Sequence, residues 1–214
     1  MIEKIGKEEY RLISAPAENV LSIIDIKKKF SSKPLSVAEI GVGIGATSVE
    51  IVKRLNENDK YFFFSYESDV DELEKDLSGL DCCKCKLYPM GNTKCIYDSY
   101  SWNLAKLICN GEEEIFDVVY LDGAHSFFHD GLSCVLLKTL IKKGGIIIFD
   151  DIHWSFNNSP TLNPQKNPTT STLYNEEQLL SEQVLMVVNV FMEKDTEWER
   201  IGDIGSQAIY RRKT

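Results

Sequence analysis

No stretch of this 214-residue chain approaches the roughly 20 apolar residues of a membrane-spanning helix. Its opening, MIEKIGKEEYRL, has no apolar core of the kind a secretory signal needs. These absences make a cytoplasmic location the expectation. Positive charge is also short: 24 Lys and Arg stand against 33 Asp and Glu, for a net −9. Such a chain is poorly suited to gripping nucleic-acid phosphates or an anionic membrane surface. A small-molecule partner fits better, and self-association stays open. There is no internal repeat and no second apolar block, so residues 1–214 read as a single domain. Cys82, Cys83 and Cys85 lie together, but no further pair stands at zinc-finger spacing. They are expected to pack as thiols where a strand begins.

What is present centres on Val37-Ala38-Glu39-Ile40-Gly41-Val42-Gly43-Ile44-Gly45-Ala46-Thr47. An apolar run meets three glycines spaced by two, and an amphipathic segment follows. The pattern predicts strand, tight turn and helix. Glycine permits unusual dihedrals and close ligand approach, and amides at a helix start meet polar ligand atoms. The spacing is GxGxG rather than the GxGxxG of dinucleotide sites.

Around this stretch the chain alternates between the two regular structures. Residues 1–34 form an N-terminal helical segment, with Ser14 and Pro16 as a start signal and Val20, Leu21, Ile23, Ile24 and Phe30 at helical spacing. Tyr61 to Glu67 reads as a second strand, buried on both faces, and closes on Glu67, 26 residues after Gly41. An acid there can accept both hydroxyls of a ribose; the competing role is a helix cap near Asp69. A third strand near Cys85–Tyr88 precedes a turn, Pro89-Met90-Gly91-Asn92, at the edge where an adenine would lie. Tyr100 to Cys109 is expected to be helical. Phe116 to Asp122 is the fourth strand and its tip. A helix from Phe127 to Lys142 stops at Gly144-Gly145, and Ile146 to Asp151 is the fifth strand. Residues 154–173, rich in Asn, Pro, Ser and Thr, read as a substrate loop or lid. Glu176 to Glu193 is one amphipathic helix. Trp198–Ile204 and Ser206–Arg212 form an antiparallel hairpin around Gly205. Strands alternating with helices predict an α/β parallel sheet.

Taken together, the GxGxG turn after Glu39, the acid closing strand two, Asp122 closing strand four and the terminal hairpin resemble the class I S-adenosylmethionine-dependent methyltransferases over about residues 35–212. Leu121-Asp-Gly-Ala-His125, followed by Asp130 and then Gly-Gly-Ile-Ile-Ile-Phe-Asp-Asp151, resembles the branch that O-methylates sugars and small molecules. The resemblance implies a Rossmann-like, doubly wound seven-stranded sheet, ordered 3-2-1-4-5-7-6, with strand seven antiparallel and helices on both faces. It implies S-adenosylmethionine as cofactor. The expected contacts are Glu39, Gly41, Gly43, Gly45 and Thr47 at the first turn, Glu67 and Ser68 at the second strand, Asn92 at the third and Asp122 at the fourth. Some relatives hold a divalent cation at positions that correspond here to Asp122, Asp150 and Asp151.

Carboxylates at adjacent strand tips suit a hard cation such as magnesium or manganese, which would fix two acceptor oxygens and lower a hydroxyl pKa. The competing roles are contact with cofactor or water and turn capping. Methyl transfer needs alignment and a base. His125 and His153 flank the acid cluster and are the candidate bases beside Asp122, whereas His129 is expected to be structural. Trp154, Phe156 and Tyr174 could wall a sugar ring. The expected acceptor is a sugar hydroxyl, possibly nucleotide-linked, with catechol-type phenols also open. The alternatives are a nicotinamide-dependent oxidoreductase, or a non-catalytic binding protein of the methyltransferase fold.

Overall fold

A computed structural model of the chain describes residues 1–91, 94 and 100–214. Seven strands form one sheet: β1 (Ser36–Ile40), β2 (Lys60–Phe64), β3 (Lys86–Met90), β4 (Phe116–Leu121), β5 (Ile141–Phe149), β6 (Trp198–Ile204) and β7 (Gln207–Arg212). Their order is β3-β2-β1-β4-β5-β7-β6. β1 to β5 pair in parallel, and β7 runs antiparallel to both β5 and β6.

The strands are apolar on both sides, so successive residues feed two separate cores. Val37, Tyr61, Phe63, Val118 and Ile148 pack against helices α1 (Glu18–Phe30), α2 (Ala46–Arg54) and α3 (Glu67–Ser78). Ala38, Ile40, Phe64, Val119 and Phe149 pack against α4 (Ser101–Cys109), α5 (Phe127–Leu140) and α8 (Gln183–Phe191). Two short helices, α6 (Pro168–Leu173) and α7 (Glu176–Leu180), precede α8.

Several boundaries differ from the sequence reading. β2 ends at Phe64, so Glu67 opens α3 instead of closing the strand. β3 runs through Pro89 to Met90; it is an edge strand, where a missing N–H is tolerated. Gly144-Gly145 does not end α5, because β5 has already begun at Ile141. The glycines form an irregularity within it, where the pairing to β4 shifts between Phe116 and Val118. Gly144 takes φ +75°, and a Cβ on Gly145 would lie 2.7 Å from Ile141 Cγ2. The helix expected over 176–193 breaks at Ser181-Glu182 into α7 and α8. Phe30, counted with the apolar face of α1, is 79 % exposed. The segment 154–173 is not an open loop: Ser155, Phe156, Ser159 and Thr170 are buried, and it contains a 3-10 turn and α6. Among the described residues, no helix is long and apolar enough to cross a membrane.

Candidate active site at the carboxyl ends of the strands

The ladder of backbone hydrogen bonds continues past the strand ends and carries the polar tips to one edge. Gly41 N–H donates to Phe64 O at 2.9 Å, Asp122 N–H to Ile40 O at 2.9 Å and Asp150 N–H to Leu121 O at 3.0 Å. A cavity of about 590 Å³ opens above them. Its walls include Glu39, Asp69, Asp122, Asp150 and Asp151, the turn residues Gly41, Val42 and Gly43, His125, and the segment 12–17. Among the described residues that line it there is no Lys or Arg.

The three glycines of the turn all have positive φ, at +86°, +50° and +83°, but they do different work. A Cβ on Gly41 would sit 1.9 Å from the Asp122 carbonyl oxygen, so this glycine lets the β1 turn meet the β4 tip. A Cβ on Gly45 would point at Leu73 and Ile2; this residue is the N-cap of α2 and faces packing rather than the cavity. Only at Gly43 would a Cβ enter open space among the described atoms. Of the three positions expected to line the cofactor, Gly41 and Gly43 line this cavity, and Gly45 does not.

Glu39 is buried beneath the turn. Its Oε2 accepts from Ser48 Oγ at 2.7 Å and from the Tyr61 hydroxyl. Burial outweighs these bonds and pushes its carboxyl up to about 7. Thr47 lies at the cavity wall, but its Oγ1 accepts from Ala17 N–H at 3.0 Å and so anchors the segment 12–17.

Tyr120, not singled out from the sequence, organises the acids. Its hydroxyl donates to Asp150 Oδ2 and lies 3.2 Å from Asp122 Oδ2. Strand alternation could have found it: Tyr120 is two residues before Asp122 and faces the same side of the sheet. Burial, and then the charges of Asp150, Glu39 and Asp151, push the Asp122 carboxyl well above the usual range. His125 Nε2 lies 3.7 Å from both Asp122 Oδ1 and Asp151 Oδ2. Burial lowers the His125 pKa against the pull of Asp151 and Asp150, which leaves the imidazole neutral at neutral pH. His125 and Asp151 hold φ values of +51° and +50°, conformations that non-glycine residues rarely keep without a local demand.

Asp130 braces this loop from behind. It is buried in the first turns of α5, with both oxygens turned toward the amides of Ala124, His125 and Ser126 and at hydrogen-bond geometry with none. Burial pushes it to about 7.

Other expected residues lie elsewhere. His153 is mostly exposed and pairs with Glu182 Oε1 at 3.3 Å, away from the cavity. Glu67 lines a separate cleft of about 310 Å³ with Pro89, Met90 and Gly91, and meets Lys94 Nζ at 3.0 Å. Ser68 is exposed, and its hydroxyl faces Asp69 at 3.5 Å. Asn92 lies outside the described residues. His129, expected to be structural, has Nδ1 at 2.6 Å from the Ser126 cap. Trp154, Phe156 and Tyr174 stack in series, with centroids 4.8 and 4.2 Å apart. Trp154 also lies 5.1 Å from the His125 ring, yet none of the three lines the cavity.

Asp122, Asp150 and Asp151 supply hard oxygens of the kind magnesium or manganese takes, but their spacing does not form one ligand shell. His125 occupies the space between Asp122 and Asp151, and Tyr120 bridges Asp122 and Asp150. Among the described residues, only Glu3, Glu72 and Asp76 bring three such groups within 4.8 Å of one another, and they surround the Met1 ammonium.

The strand order, with the antiparallel seventh strand inserted between the fifth and sixth, decides the architecture. The fold is that of the class I methyltransferases. No protein-family profile and no curated protein sequence matches the chain. Solved structures do. The O-methyltransferase TomG from Streptomyces achromogenes, involved in tomaymycin synthesis and solved with S-adenosylmethionine, aligns with TM-score 0.65 and 12 % identity. That alignment covers 100 % of this chain and 89 % of TomG. A candidate caffeoyl-CoA O-methyltransferase from Staphylococcus aureus aligns at 0.61 and 13 %, covering 100 % and 92 %. A methyltransferase from Geobacter sulfurreducens aligns at 0.58 and 12 %, covering 100 % and 86 %. The methyltransferase fold therefore spans the whole chain at identities that carry architecture alone.

Proposed function

We propose that this protein is an S-adenosylmethionine-dependent O-methyltransferase acting on a hydroxyl of a small molecule. The observation that carries this reading is the cavity at the carboxyl ends of the strands, lined among the described residues by five carboxylates and by no Lys or Arg. Such a wall attracts a ligand bearing positive charge, as the sulfonium and ammonium of S-adenosylmethionine do. It repels a pyrophosphate, which counts against the nicotinamide reading. The relatives in shape that are named O-methyltransferases support the same reading.

When bound, S-adenosylmethionine would supply an activated methyl group that an acceptor oxygen attacks in line, with S-adenosylhomocysteine as the leaving group. Gly43 and the α2 amides would receive it, Glu39 and Asp122 would face its cationic part, and Glu67 would hold the ribose only by releasing Lys94 and turning out of its own cleft toward the cavity. The chain's own contribution is alignment and proton removal. His125 takes the acceptor proton at Nε2, and Asp122 and Asp151, on either side, stabilise the imidazolium that results. Trp154, against the His125 ring, offers an apolar edge for a sugar acceptor, free or nucleotide-linked. A divalent cation on Asp122, Asp150 and Asp151 is an alternative to this arrangement: the crowding of their charges favours it, but the three form no single ligand shell while His125 stands between Asp122 and Asp151.

Calorimetric titration with S-adenosylhomocysteine tests the reading: micromolar binding is expected, with none for NAD. No binding by folded protein overturns it. His125→Gln should keep that affinity and lower turnover about 10²- to 10⁴-fold; full turnover would remove His125 as the base. Binding without turnover on any hydroxyl acceptor would favour the non-catalytic alternative. Equal rates with chelator and with added magnesium or manganese would eliminate the cation.

A further inference from the structure

The outer side of α5 and α8 presents more apolar surface than this fold uses. α5 reads FFHDGLSCVLLKTL. One side, including Gly131, Cys134 and Leu137, is buried against the sheet and α8. On the opposite side Phe128, Leu132 and Val135 recur at helical spacing and are 59, 45 and 44 % exposed. α8 reads QVLMVVNVF and has no charged residue; Met186 and Val190, one turn apart, are 44 and 54 % exposed. A helix that is apolar all round is normally covered on all sides, and these two neighbours are each covered on one side only.

We propose that the outer face of α5 and α8 is the interface of a homodimer, with α5 of one copy laid against α8 of the other about a two-fold axis. Two properties of the face select a second copy of this chain as the occupant. The first is area. The five side chains leave on the order of 400 Å² of apolar surface open, judged from the full size of such side chains. A standard interface takes about 800 Å² from each partner, of which about 65 % is apolar in homodimers. The patch thus supplies most of the apolar part of one such interface. The second is charge. The chain carries a net −9, so most approaches of two copies are repulsive. Between these side chains the exposed polar residues, Thr139 and Asn189, are neutral; the carboxylates at the two ends of α8, Glu182 and Glu193, pair with His153 and Arg200. Lys138, the one basic residue of α5, is turned onto Phe191 O at 2.6 Å and Asp195 Oδ2 at 2.5 Å. The centre of the patch therefore opposes no like charges, and a two-fold axis lets the same patch serve both partners.

Sedimentation velocity on the intact chain at micromolar concentration tests this. The unmodified protein should sediment as a dimer, and Leu132→Glu and Val190→Lys should each sediment as monomers with unchanged circular dichroism and thermal unfolding. An equimolar mixture of the two variants should regain a dimer, because the new charges then face each other across the α5–α8 contact. A monomeric unmodified protein overturns the proposal, as does a Leu132→Glu variant that stays dimeric. Failure of the mixture to reassociate would overturn the pairing of α5 with α8. Both positions are exposed, so loss of fold is not the expected outcome of either change.

Discussion

The two faces of this sheet share the same strands and differ in what they bury. On the side of α1, α2 and α3 the layer under the cavity holds polar groups: Glu39, Ser48, Tyr120 and the Tyr61 hydroxyl sit among Val37, Val118 and Ile148. On the side of α4, α5 and α8 the sheet residues are Ala38, Ile40, Phe64, Val119, Leu121 and Phe149, and the apolar character continues through the helices to their outer surface. One face spends stability on a charged pocket, while the other accumulates it. Residues one apart in β1 or β4 therefore belong to different functions, and substitutions should separate them.

The sharpest break is expected at Gly41, where the polar face depends on contact between two backbones. Gly41→Ala places a methyl 1.9 Å from the Asp122 carbonyl oxygen at φ +86° and should destabilise by about 4 kcal/mol or more in urea unfolding, through overpacking and strain combined. A loss below 1 kcal/mol would show that the β1 turn and the β4 tip are not coupled. On the apolar face, Leu104→Ala should cost about 3 kcal/mol, as buried leucine truncations do, and leave S-adenosylhomocysteine affinity unchanged. A tenfold loss of affinity there would erase the distinction between the faces.

Glu39 offers a gentler test with a defined sign. The unfolded carboxyl ionises near 4.5, and the folded one keeps its proton to about 7. Its contribution is most favourable below pH 4.5, declines between pH 4.5 and 7 and is flat above. Glu39→Gln should remove this decline and stabilise the protein at pH 8 by on the order of 2–3 kcal/mol, with weaker cofactor binding. Identical stability–pH curves for both proteins would overturn the assignment. The smallest effect is expected at Gly43. Its side faces open space, so Gly43→Ala should cost only about 1 kcal/mol from its φ, yet weaken S-adenosylhomocysteine binding at least tenfold.

Most of the sheet was legible in the sequence because buried parallel strands are short apolar runs punctuated by polar tips, and those tips line the cavity. Misreadings arose where one residue type serves two ends. Gly144-Gly145 reads as a helix stop, yet it relieves crowding inside β5. Gly45 belongs to the ligand turn by spacing, while its geometry is set by Leu73 and Ile2. His153 stands two residues past Asp151, but the backbone turns there, Trp154 N–H returns to Asp151 O at 2.8 Å, and the imidazole faces outward. Glu67 was placed by counting, and the early end of β2 moved it to another cleft. Tyr120 was hidden because an aromatic inside an apolar run looks like core, and only its hydroxyl reveals its role.

Among the described residues, His125, Asp151 and Glu114 are the non-glycine residues with positive φ, and two of the three stand at the same site. Under selection for heat resistance alone, these are the positions where glycine or asparagine would be gained first, since each now holds a conformation costing about 1–2 kcal/mol. At Glu114, whose side chain pairs with Arg212 at 3.3 Å on the surface, such a replacement should be accepted in any lineage. At 125 and 151 it should be accepted only in lineages that have stopped using the site. The residues found at these two positions in descendants of this chain would then date the loss of its chemistry, independently of how well the fold itself had survived.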